Sequence, residues 1–297
     1  MAEARAATLG RMPIEWFPGH MATARKKAAE TMGKIDVVIE VLDARLPGAS
    51  SNALIERLRR EKQRPCLKIL NKADLADPEA SAAWVRHFGK EKNVAGVALS
   101  CKRPDDVAKV PRLAAALVPH REGKSVRMMV MGVPNVGKST LINALLKRKV
   151  APTGDEPAIT KQQSRFQLGE RHELIDTPGL MSPSIANESD ALMLAASHLI
   201  GPESYTDEDV ATFLGDLLAA RYPGLLRTRY DLEADTFDGH DVISAIARKR
   251  GYLRKGGRPD YEKAGRALIQ DYRSGLLGRI TLETPQSRAE TLAAAKR

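Results

Sequence analysis

The sequence predicts an α/β domain with a mostly parallel, doubly wound sheet, followed by a smaller all-helical domain. Apolar strand patterns alternate with helical patterns from about residue 35 to residue 176, which is typical of parallel strands joined by helices. After about residue 190 only helical patterns remain, and a length of 297 residues suits about two domains. We expect residues 14–189 to form the α/β domain and residues 190–285 the helical domain, with flexible segments at 1–13 and 286–297.

The predicted strands are short, mainly apolar runs bounded by polar or turn-forming residues. They comprise residues 35–43, 64–70, 94–99, 126–131 and 172–176. The segments between and after them carry apolar residues at helical spacing. The predicted helices comprise residues 22–32, 51–60, 79–88, 112–118 and 140–146 in the first domain, and 190–199, 207–221, 241–250 and 261–274 in the second.

A phosphate-binding loop is predicted at residues 132–139, which read G-x-x-x-x-G-K-S between a strand and a helix. Its glycines let backbone N–H groups close around phosphates, and the N-terminus of the following helix adds partial positive charge. Lys138 would bind the β- and γ-phosphates, and the Ser139 hydroxyl would bind Mg²⁺. The loop residues expected to contact the nucleotide are Asn135, Val136, Gly137, Lys138, Ser139 and Thr140.

A second phosphate motif, Asp176-Thr177-Pro178-Gly179, follows the last predicted strand. Asp176 would hold Mg²⁺ through a water molecule, and the backbone N–H of Gly179 would bind the γ-phosphate. Thr160 lies in the preceding loop, where a switch threonine would bind both Mg²⁺ and the γ-phosphate. Taken alone, the motif also suits a simple turn after a strand, and Thr160 also suits an ordinary loop.

Guanine recognition is predicted at Asn71-Lys72-Ala73-Asp74, directly after a strand. The Asp74 carboxylate can accept two hydrogen bonds, from N1–H and from the 2-amino group of guanine. Adenine cannot supply this pair, so the sequence disfavours an ATPase. Asn71 would brace neighbouring loops, and the Lys72 stem would cover the face of the base. The residues expected to back the base are Ser100, Cys101 and Lys102.

The order of these motifs is unusual, because the guanine motif at residue 71 precedes the phosphate-binding loop at residue 132. In an ordinary small GTPase the guanine motif comes after the phosphate motifs. The sequence therefore predicts a circularly permuted P-loop GTPase, in which the switch segments lie directly before the helical domain. A change in the bound nucleotide could then be transmitted directly to the helical domain.

The charge of the chain points to an anionic partner larger than a nucleotide, since the net charge is +10 and the pI is about 9.6. Residues 242–282 hold ten Lys or Arg against three acidic residues, with tyrosines interleaved. Basic and planar side chains together suit RNA, although a solvated helix face is an equally good interpretation. The residues expected to bind RNA are Arg248, Lys249, Arg250, Arg254 and Lys255.

Targeting features are not evident in the sequence. No apolar stretch approaches the roughly 18–20 residues needed to span a membrane. Residues 1–13 also lack the apolar core of a secretion signal. We therefore expect a cytoplasmic protein without a membrane partner, with the mitochondrial matrix as the alternative location.

Three further segments carry a family resemblance: residues 14–21 (IEWFPGHM), 41–47 (VLDARLP) and 271–280 (DYRSGLLGRI). Together with the motif order, they closely resemble the circularly permuted ribosome-biogenesis GTPases of the YlqF/RbgA family, from about residue 14 to residue 282. The resemblance implies a GTP hydrolase that assists late assembly of the large ribosomal subunit and is stimulated by it. GTP, GDP, Mg²⁺, ribosomal RNA and the large subunit are the implied ligands and partners, and we expect a monomer.

The residue after Gly179 is Leu180, where Ras-like enzymes carry the glutamine that positions the attacking water. A leucine cannot hydrogen-bond water, and the resemblance implies that His20 takes this role. His20 could also simply cap the helix that begins close to it. The implied catalytic residues are thus His20, Lys138, Thr160 and Gly179.

Other details of the resemblance concern the cofactor and the turnover. Asn135 matches a pattern found in potassium-stimulated GTPases, which implies K⁺ as a second cofactor, although Asn135 could equally brace the loop backbone. Two residues depart from the family pattern: Ala158 replaces a common glycine, which would stiffen the switch, and Cys101 replaces alanine. Leu180 keeps a second hypothesis open, a nucleotide-gated RNA-binding scaffold with negligible intrinsic turnover.

Overall fold

The centre of the molecule is a six-stranded sheet. The computed structural model describes residues 20–151, 163–180, 185, 187–201, 205–234 and 236–295, with side chains from residue 25 onward. The strands are β1 (Val37–Asp43), β2 (Cys66–Asn71), β3 (Val94–Ala98), β4 (Val126–Met131), β5 (Ser164–Leu168) and β6 (His172–Asp176). Their order is β3-β2-β1-β4-β6-β5, and all neighbours are parallel except β5, which is antiparallel to β6. The predicted mostly parallel α/β fold is therefore confirmed.

Helices pack on both faces of this sheet. They are α1 (His20–Met32), α2 (Ala53–Glu61), α3 (Pro78–Phe88), the short α4 (Pro104–Val107), α5 (Val110–Ala116) and α6 (Lys138–Leu146). Side chains of β1 alternate between two apolar clusters, as the pleat of a strand requires. Ile39 and Val41 belong to the cluster that includes α5 and α6, whereas Val38 and Leu42 belong to the cluster with α1, α2 and α3. Every residue of β1 is buried, because helices cover both faces of the sheet.

The second part of the chain is helical. Its helices are α7 (Glu188–Ala196), α8 (Asp207–Arg221), α9 (Pro223–Tyr230), α10 (Gly239–Lys249) and α11 (Tyr261–Ser274). The first residue of α10 lies against α8, since a Cβ on Gly239 would lie 2.2 Å from the carbonyl oxygen of Thr212. Only a glycine permits this approach. Asp238 caps α10 by accepting from the N–H of Asp241, which makes the start of the helix well defined.

A last helix, α12 (Pro285–Ala294), occupies most of the segment for which the sequence predicts a flexible tail. Thr284 accepts from the N–H of Ser287, and the Ser287 hydroxyl accepts from the N–H of Thr284. Pro285 takes the first helical position, where its missing N–H costs nothing. Arg288 of this helix forms a bidentate ion pair with Asp190 of α7. The capping box and the ion pair together explain why these residues are ordered as a helix.

Within the described part of the chain, none of the helices combines the length and the apolar character that crossing a membrane requires.

Candidate functional site

Loops that carry the predicted motifs meet at one edge of the sheet. Asp43 at the end of β1 pairs in register with Asn71 at the end of β2, and Val130 near the end of β4 pairs with Asp176 at the end of β6. Because these strands are parallel, their carboxyl ends lie side by side, which is where α/β proteins bind ligands. The permuted motifs, although reordered in sequence, thus come together in space.

The phosphate-binding loop connects β4 to α6 in a conformation that requires glycine at two positions. Gly132 has φ +149°, and a Cβ there would lie 2.4 Å from the carbonyl oxygen of Val41. Gly137 has φ +102° and is the N-cap of α6. The loop therefore folds tightly against β1 and presents the N-terminus of α6, where backbone N–H groups can bind an anion. Ser139 and Thr140 follow in the first turn, and Thr140 is exposed.

Lys138 is enclosed by this loop, with its ammonium group donating to the carbonyl of Val133 at 2.8 Å. Burial lowers the pKa of Lys138 to about 8, although the neighbouring carboxylate of Asp176 acts in the opposite direction. A bound phosphate would add negative charge beside the buried ammonium group and favour its charged form. The position of Lys138 thus suits the phosphate-binding role that the motif predicts.

Asp176 is buried, and its Oδ1 atom has no hydrogen-bond partner among the described residues. Burial raises the pKa of Asp176 to about 6, while Lys138 acts to lower it. A buried carboxylate with an unused oxygen fits a divalent cation, either directly or through water. Together with the Ser139 hydroxyl, these oxygen donors suit the Mg²⁺ that a GTPase family implies.

Asn71 links three of the motifs through its side chain. Its Nδ2 group donates to the carbonyl of Val136 in the phosphate-binding loop at 2.8 Å. Its Oδ1 atom accepts from the N–H of Cys101 at 3.1 Å. Both ends of one buried carboxamide are thus used, and the guanine motif, the phosphate loop and the Ser100–Lys102 segment are held together.

The Asp74 carboxylate lies beside Ser100 and Lys102. Burial alone would raise the pKa of Asp74, but hydrogen bonds from Ser100 and Lys102 and the Lys102 charge lower it below its ordinary value. The Lys102 ammonium group lies 3.1 Å from Asp74 Oδ2. Asp74 is therefore ionised at neutral pH, as a double acceptor for guanine must be. Burial raises the pKa of the Cys101 thiol to about 12, so Cys101 stays neutral and acts as a small apolar residue.

Lys72 is held by a buried carboxylate that the motif analysis did not identify. Its ammonium group lies 2.8 Å from Asp43 Oδ2, and Arg45 binds both oxygens of the same carboxylate. Burial alone would raise the pKa of Asp43, but Arg45 and Lys72 hold it well below its usual range. Anchoring of the ammonium group fixes the course of the Lys72 stem within the predicted guanine motif. The signal in the sequence was the 41–47 segment, which carries both Asp43 and Arg45.

Gly179 and Leu180 follow β6 and pack against the phosphate-binding loop. A Cβ on Gly179 would lie 3.0 Å from backbone N of Pro134, so the chain passes very close there. Leu180 is buried in the apolar cluster with α2 and α3, and its carbonyl accepts from Asn52 at 2.8 Å. In this position the Leu180 side chain is part of the core.

Thr160 and the side chain of His20 lie outside the described residues, although α1 does begin at His20.

Asn135 connects the phosphate-binding loop to the helical domain. It has φ +58°, and its Nδ2 group donates to the carbonyl of His198 just after α7 at 2.9 Å. This contact is consistent with the bracing interpretation of Asn135. It also joins the phosphate loop directly to the helical C-terminal region.

The predicted RNA-binding residues divide into two groups. Arg250 is half-buried and forms an ion pair with Asp271, and Lys249 and Arg254 also contact carboxylates of their own domain. Arg248 and Lys255 are exposed and form no salt bridge with another described residue. The solvated-face interpretation thus suits part of this stretch, while Arg248 and Lys255 are available to an outside phosphate.

Comparison with known proteins places this geometry in a family. Residues 127–228 match a family model described as 50S ribosome-binding GTPase. Ribosome biogenesis GTPase A of Bacillus cereus is 37% identical over 288 residues, which cover 94% of this chain and 96% of that protein. The chain belongs to the ribosome biogenesis GTPase A family. It is therefore a GTPase, and the resemblance seen in the sequence is confirmed.

Other members of the ribosome biogenesis GTPase A family and its relatives extend the comparison. Mitochondrial ribosome-associated GTPase 1 of Ictalurus punctatus is 35% identical over 305 residues, covering 92% of this chain and 93% of that one. The crystal structure of GNP-bound YlqF from T. maritima superposes with a TM-score of 0.62 at 26% identity, covering 89% of this chain and 99% of the other. A GDP-bound structure of YlqF superposes with a TM-score of 0.63. The circularly permuted fold is thus shared with proteins solved with nucleotide.

Proposed function

We propose that the chain binds and hydrolyses GTP at the assembled motif site and acts in late assembly of the large ribosomal subunit. The observation that carries the nucleotide site is the double hydrogen bond of Asn71, to Val136 and to Cys101. It unites the guanine motif with the phosphate loop although the chain presents them in permuted order. The ribosomal role is supported by family membership and by the ribosomal relatives in bacteria and mitochondria.

Base recognition is assigned to Asp74, whose ionised carboxylate would accept from guanine N1–H and the 2-amino group. Lys72, anchored on Asp43, would cover one face of the base. Ser100, Cys101 and Lys102 would back the base from the neighbouring loop. Lys138, the backbone of residues 135–140 and Gly179 would bind the phosphates.

A divalent ion, when bound with the nucleotide, neutralises charge that develops on the phosphates during hydrolysis. Ser139 and Asp176 would hold this ion, Asp176 through water, with Thr160 as the switch ligand. We assign Mg²⁺ to this position. K⁺ is a further proposal that rests on Asn135, whose amide group also binds His198.

Orientation of the attacking water is assigned to His20. Leu180 is packed into the core and offers no polar atom in its side chain to a water molecule. A group from another segment must therefore take that role, and the chain places His20 at the start of α1, in the same domain. Under this proposal, hydrolysis depends on the large ribosomal subunit, which brings the segment around His20 against the nucleotide.

The RNA-facing surface is assigned to α10 and the loop after it. Arg248 and Lys255 are exposed there without a salt bridge to the described residues, so they can bind phosphates of ribosomal RNA. Lys249, Arg250 and Arg254 would add positive charge while held in position by their own carboxylate partners.

We propose a monomer that acts in the cytoplasm, with the mitochondrial matrix as the alternative suggested by the mitochondrial relatives.

The burial of Leu180 also favours one alternative function, an RNA-binding scaffold gated by nucleotide with negligible turnover of its own. Single-turnover hydrolysis of GTP, measured with and without purified large ribosomal subunits, separates the two. Faster hydrolysis with subunits supports the proposed enzyme. Nucleotide-dependent subunit binding with no hydrolysis under either condition would favour the scaffold.

A further inference from the structure

The segment that follows α11 leads from the helical domain to the loop that carries Asp74. Residues 279–283, which we call the clasp, lie between the base-recognition loop (residues 71–77) and the loop after β1. We propose that the clasp positions the base-recognition loop, and that Arg279 and Thr281 are positioning residues for guanine recognition. This inference rests on the proposed role of Asp74 in binding the base.

Arg279 holds two backbone carbonyls of the base-recognition loop. Its Nε atom donates to Ala76 O at 3.0 Å, and its Nη2 atom donates to Ala73 O at 2.9 Å. Asp74 lies between these two residues in the chain. A guanidinium group presents its donors in a rigid planar fork, so the pair of bonds fixes the distance between the carbonyls. Arg279 thereby restrains the backbone on both sides of Asp74.

The next two residues of the clasp continue this pattern. The N–H of Ile280 donates to Leu75 O at 2.9 Å. The Thr281 hydroxyl accepts from the N–H of Asp77 at 3.1 Å and donates to Ala44 O at 3.2 Å. Thr281 is fully buried, so loss of its hydroxyl would leave polar backbone groups without their partner. The clasp therefore bonds to backbone groups on either side of Asp74.

The far end of the clasp is itself fixed to the α/β domain. The N–H of Leu282 donates to Arg45 O at 2.6 Å, and the indole N–H of Trp84 donates to Glu283 O at 2.9 Å. Glu283 Oε1 accepts from the N–H of Ala49 at 2.7 Å. A segment held at this many points can act as a rigid support for the loop beside it.

The near end of the clasp belongs to the helical domain. The Arg45 guanidinium group lies over the ring of Tyr272 in α11, 5.0 Å from its centroid. The Tyr272 hydroxyl lies 3.0 Å from Ser197 Oγ. Just after α11, a Cβ on Gly275 would lie 2.8 Å from Leu75 Cδ2, so the helix end and the base-recognition loop are in close contact. A displacement of α11 would therefore move the clasp and disturb the loop that holds Asp74.

The test uses the two nucleotides GDP and inosine diphosphate, which lacks the 2-amino group of guanine. The variants are Arg279→Lys, which keeps the charge but not the fork, and Thr281→Val, which removes only the hydroxyl. Arg64→Lys is the matched control, because Arg64 also donates through Nε and Nη2 to two carbonyls, those of Met32 and Gly33, but at the opposite end of β2. Asp74→Asn tests the base site itself.

We expect Arg279→Lys and Thr281→Val each to lower the ratio of the Kd for inosine diphosphate to the Kd for GDP by about three- to tenfold, since a misplaced Asp74 loses its bond to the 2-amino group. Arg64→Lys should leave this ratio unchanged. Thermal unfolding of every variant, measured in parallel, separates a change in stability from a change in discrimination.

A ratio equal to that of the unmodified chain in both clasp variants, with or without a lower unfolding temperature, would overturn the proposal and leave the clasp a structural connection. If that ratio persists while Asp74→Asn abolishes discrimination, the proposed base site stands and only the clasp inference fails. If Asp74→Asn also leaves discrimination intact, the base assignment itself is wrong and the clasp inference falls with it.

Discussion

A Cβ atom on Gly137 would lie 2.3 Å from Nδ2 of Asn71, closer than any non-bonded pair of heavy atoms can approach. The same Nδ2 group donates to Val136 O, so Asn71 cannot simply turn away. Gly137 therefore serves two functions. It permits φ +102° at the start of α6, and it leaves room for the side chain that connects the two nucleotide motifs.

Gly137→Ala should destabilise the chain by roughly 2–4 kcal/mol, from backbone strain together with a displaced Asn71 carboxamide. Gly169→Ala is the matched control, because Gly169 has φ +61° but nothing within 4 Å of its Cβ position. It should cost about 1 kcal/mol, from strain alone. Thermal or urea unfolding measures both. Equal losses in the two variants would mean that the Asn71 contact contributes nothing.

Asp74→Asn should weaken GTP binding by about 10²-fold, because the amide replaces one acceptor with a donor that opposes the guanine 2-amino group. Xanthosine triphosphate, which has a carbonyl at that position, should bind more tightly than it does to the unmodified chain. Asp105→Asn, at an exposed position in α4, is the control. Competition binding with the two nucleotides checks the prediction, and unaltered GTP affinity would show that the base binds elsewhere.

Removal of Arg248 and Lys255 together should weaken binding to the large ribosomal subunit and reduce its salt dependence, by about one unit of log–log slope per lost phosphate contact. Lys90→Ala with Lys92→Ala removes two exposed cations just before β3, an edge strand of the sheet, and should change little. Arg250 is left intact, because its loss would strip Asp271 of an ion-pair partner. Subunit binding is measured across a salt series. A slope that does not change would favour the solvated-face interpretation.

Glu283 makes stability depend on pH. Burial raises the pKa of its carboxyl group from 4.5 to about 7, although Arg288 acts to lower it. The folded state thus binds the proton more readily than the unfolded chain. The stabilising contribution of this proton is complete below about pH 4.5 and is lost as the pH rises through about 7.

Glu283→Gln, which stays neutral, should therefore be more stable than the unmodified chain at pH 8, by on the order of 1–3 kcal/mol. At pH 5 the two should be nearly equal in stability. Glu290→Gln, at an exposed position of α12, is the control for a change of surface charge. Urea unfolding at both pH values provides the measurement. A pH profile identical in Glu283→Gln and the unmodified chain would contradict the prediction.

His20→Ala should leave the affinities for GTP and GDP nearly unchanged and lower the subunit-stimulated rate by about 10²–10⁴-fold. Basal hydrolysis should fall much less, and the variant should remain longer on the subunit. His120→Ala, on an exposed turn before β4, serves as the control. Single-turnover rates and affinities are measured side by side. Full stimulation in His20→Ala would limit His20 to the start of α1, and lost affinity would make it structural.

The parallel core of this fold could be predicted because its strands are strongly apolar. β4 and β6 have the predicted bounds, and so do α8 and α11. β5 was not predicted, although exposed Arg165 and Gln167 alternate with Phe166 and Leu168 as in a half-buried strand. The run is only five residues long, and its pairing with β6 at the sheet edge decides its conformation. The helix α9 was also missed. It begins directly after α8 at Pro223, so the two resemble one interrupted segment.

The motif residues of the candidate site were found in the sequence because each loop chemistry requires particular side chains at a fixed spacing. The supports of those loops were not found. Asp43 and Arg45 belong to no nucleotide motif. Arg279 donates to main-chain carbonyls about two hundred positions away, and every residue type has such a carbonyl, so the sequence does not mark its partners. Contacts of that kind leave no periodicity or spacing in a sequence. The 41–47 and 271–280 segments stand out only as family matches, and the fold shows what their side chains contact.

Among the strands that the structure describes, β1 beside β4 is the one pairing that joins the two halves of the sheet, and this has a consequence for the growing chain. During synthesis β1, β2, β3 and the loop that carries Asp74 emerge before β4, so one edge of β1 stays unpaired until β4 has been made. The nascent protein therefore contains the loop proposed to recognise the base before it contains the phosphate-binding loop. At the proposed site a nucleotide contacts both loops, so GTP or GDP can stabilise the fold only after β4 and α6 have been added.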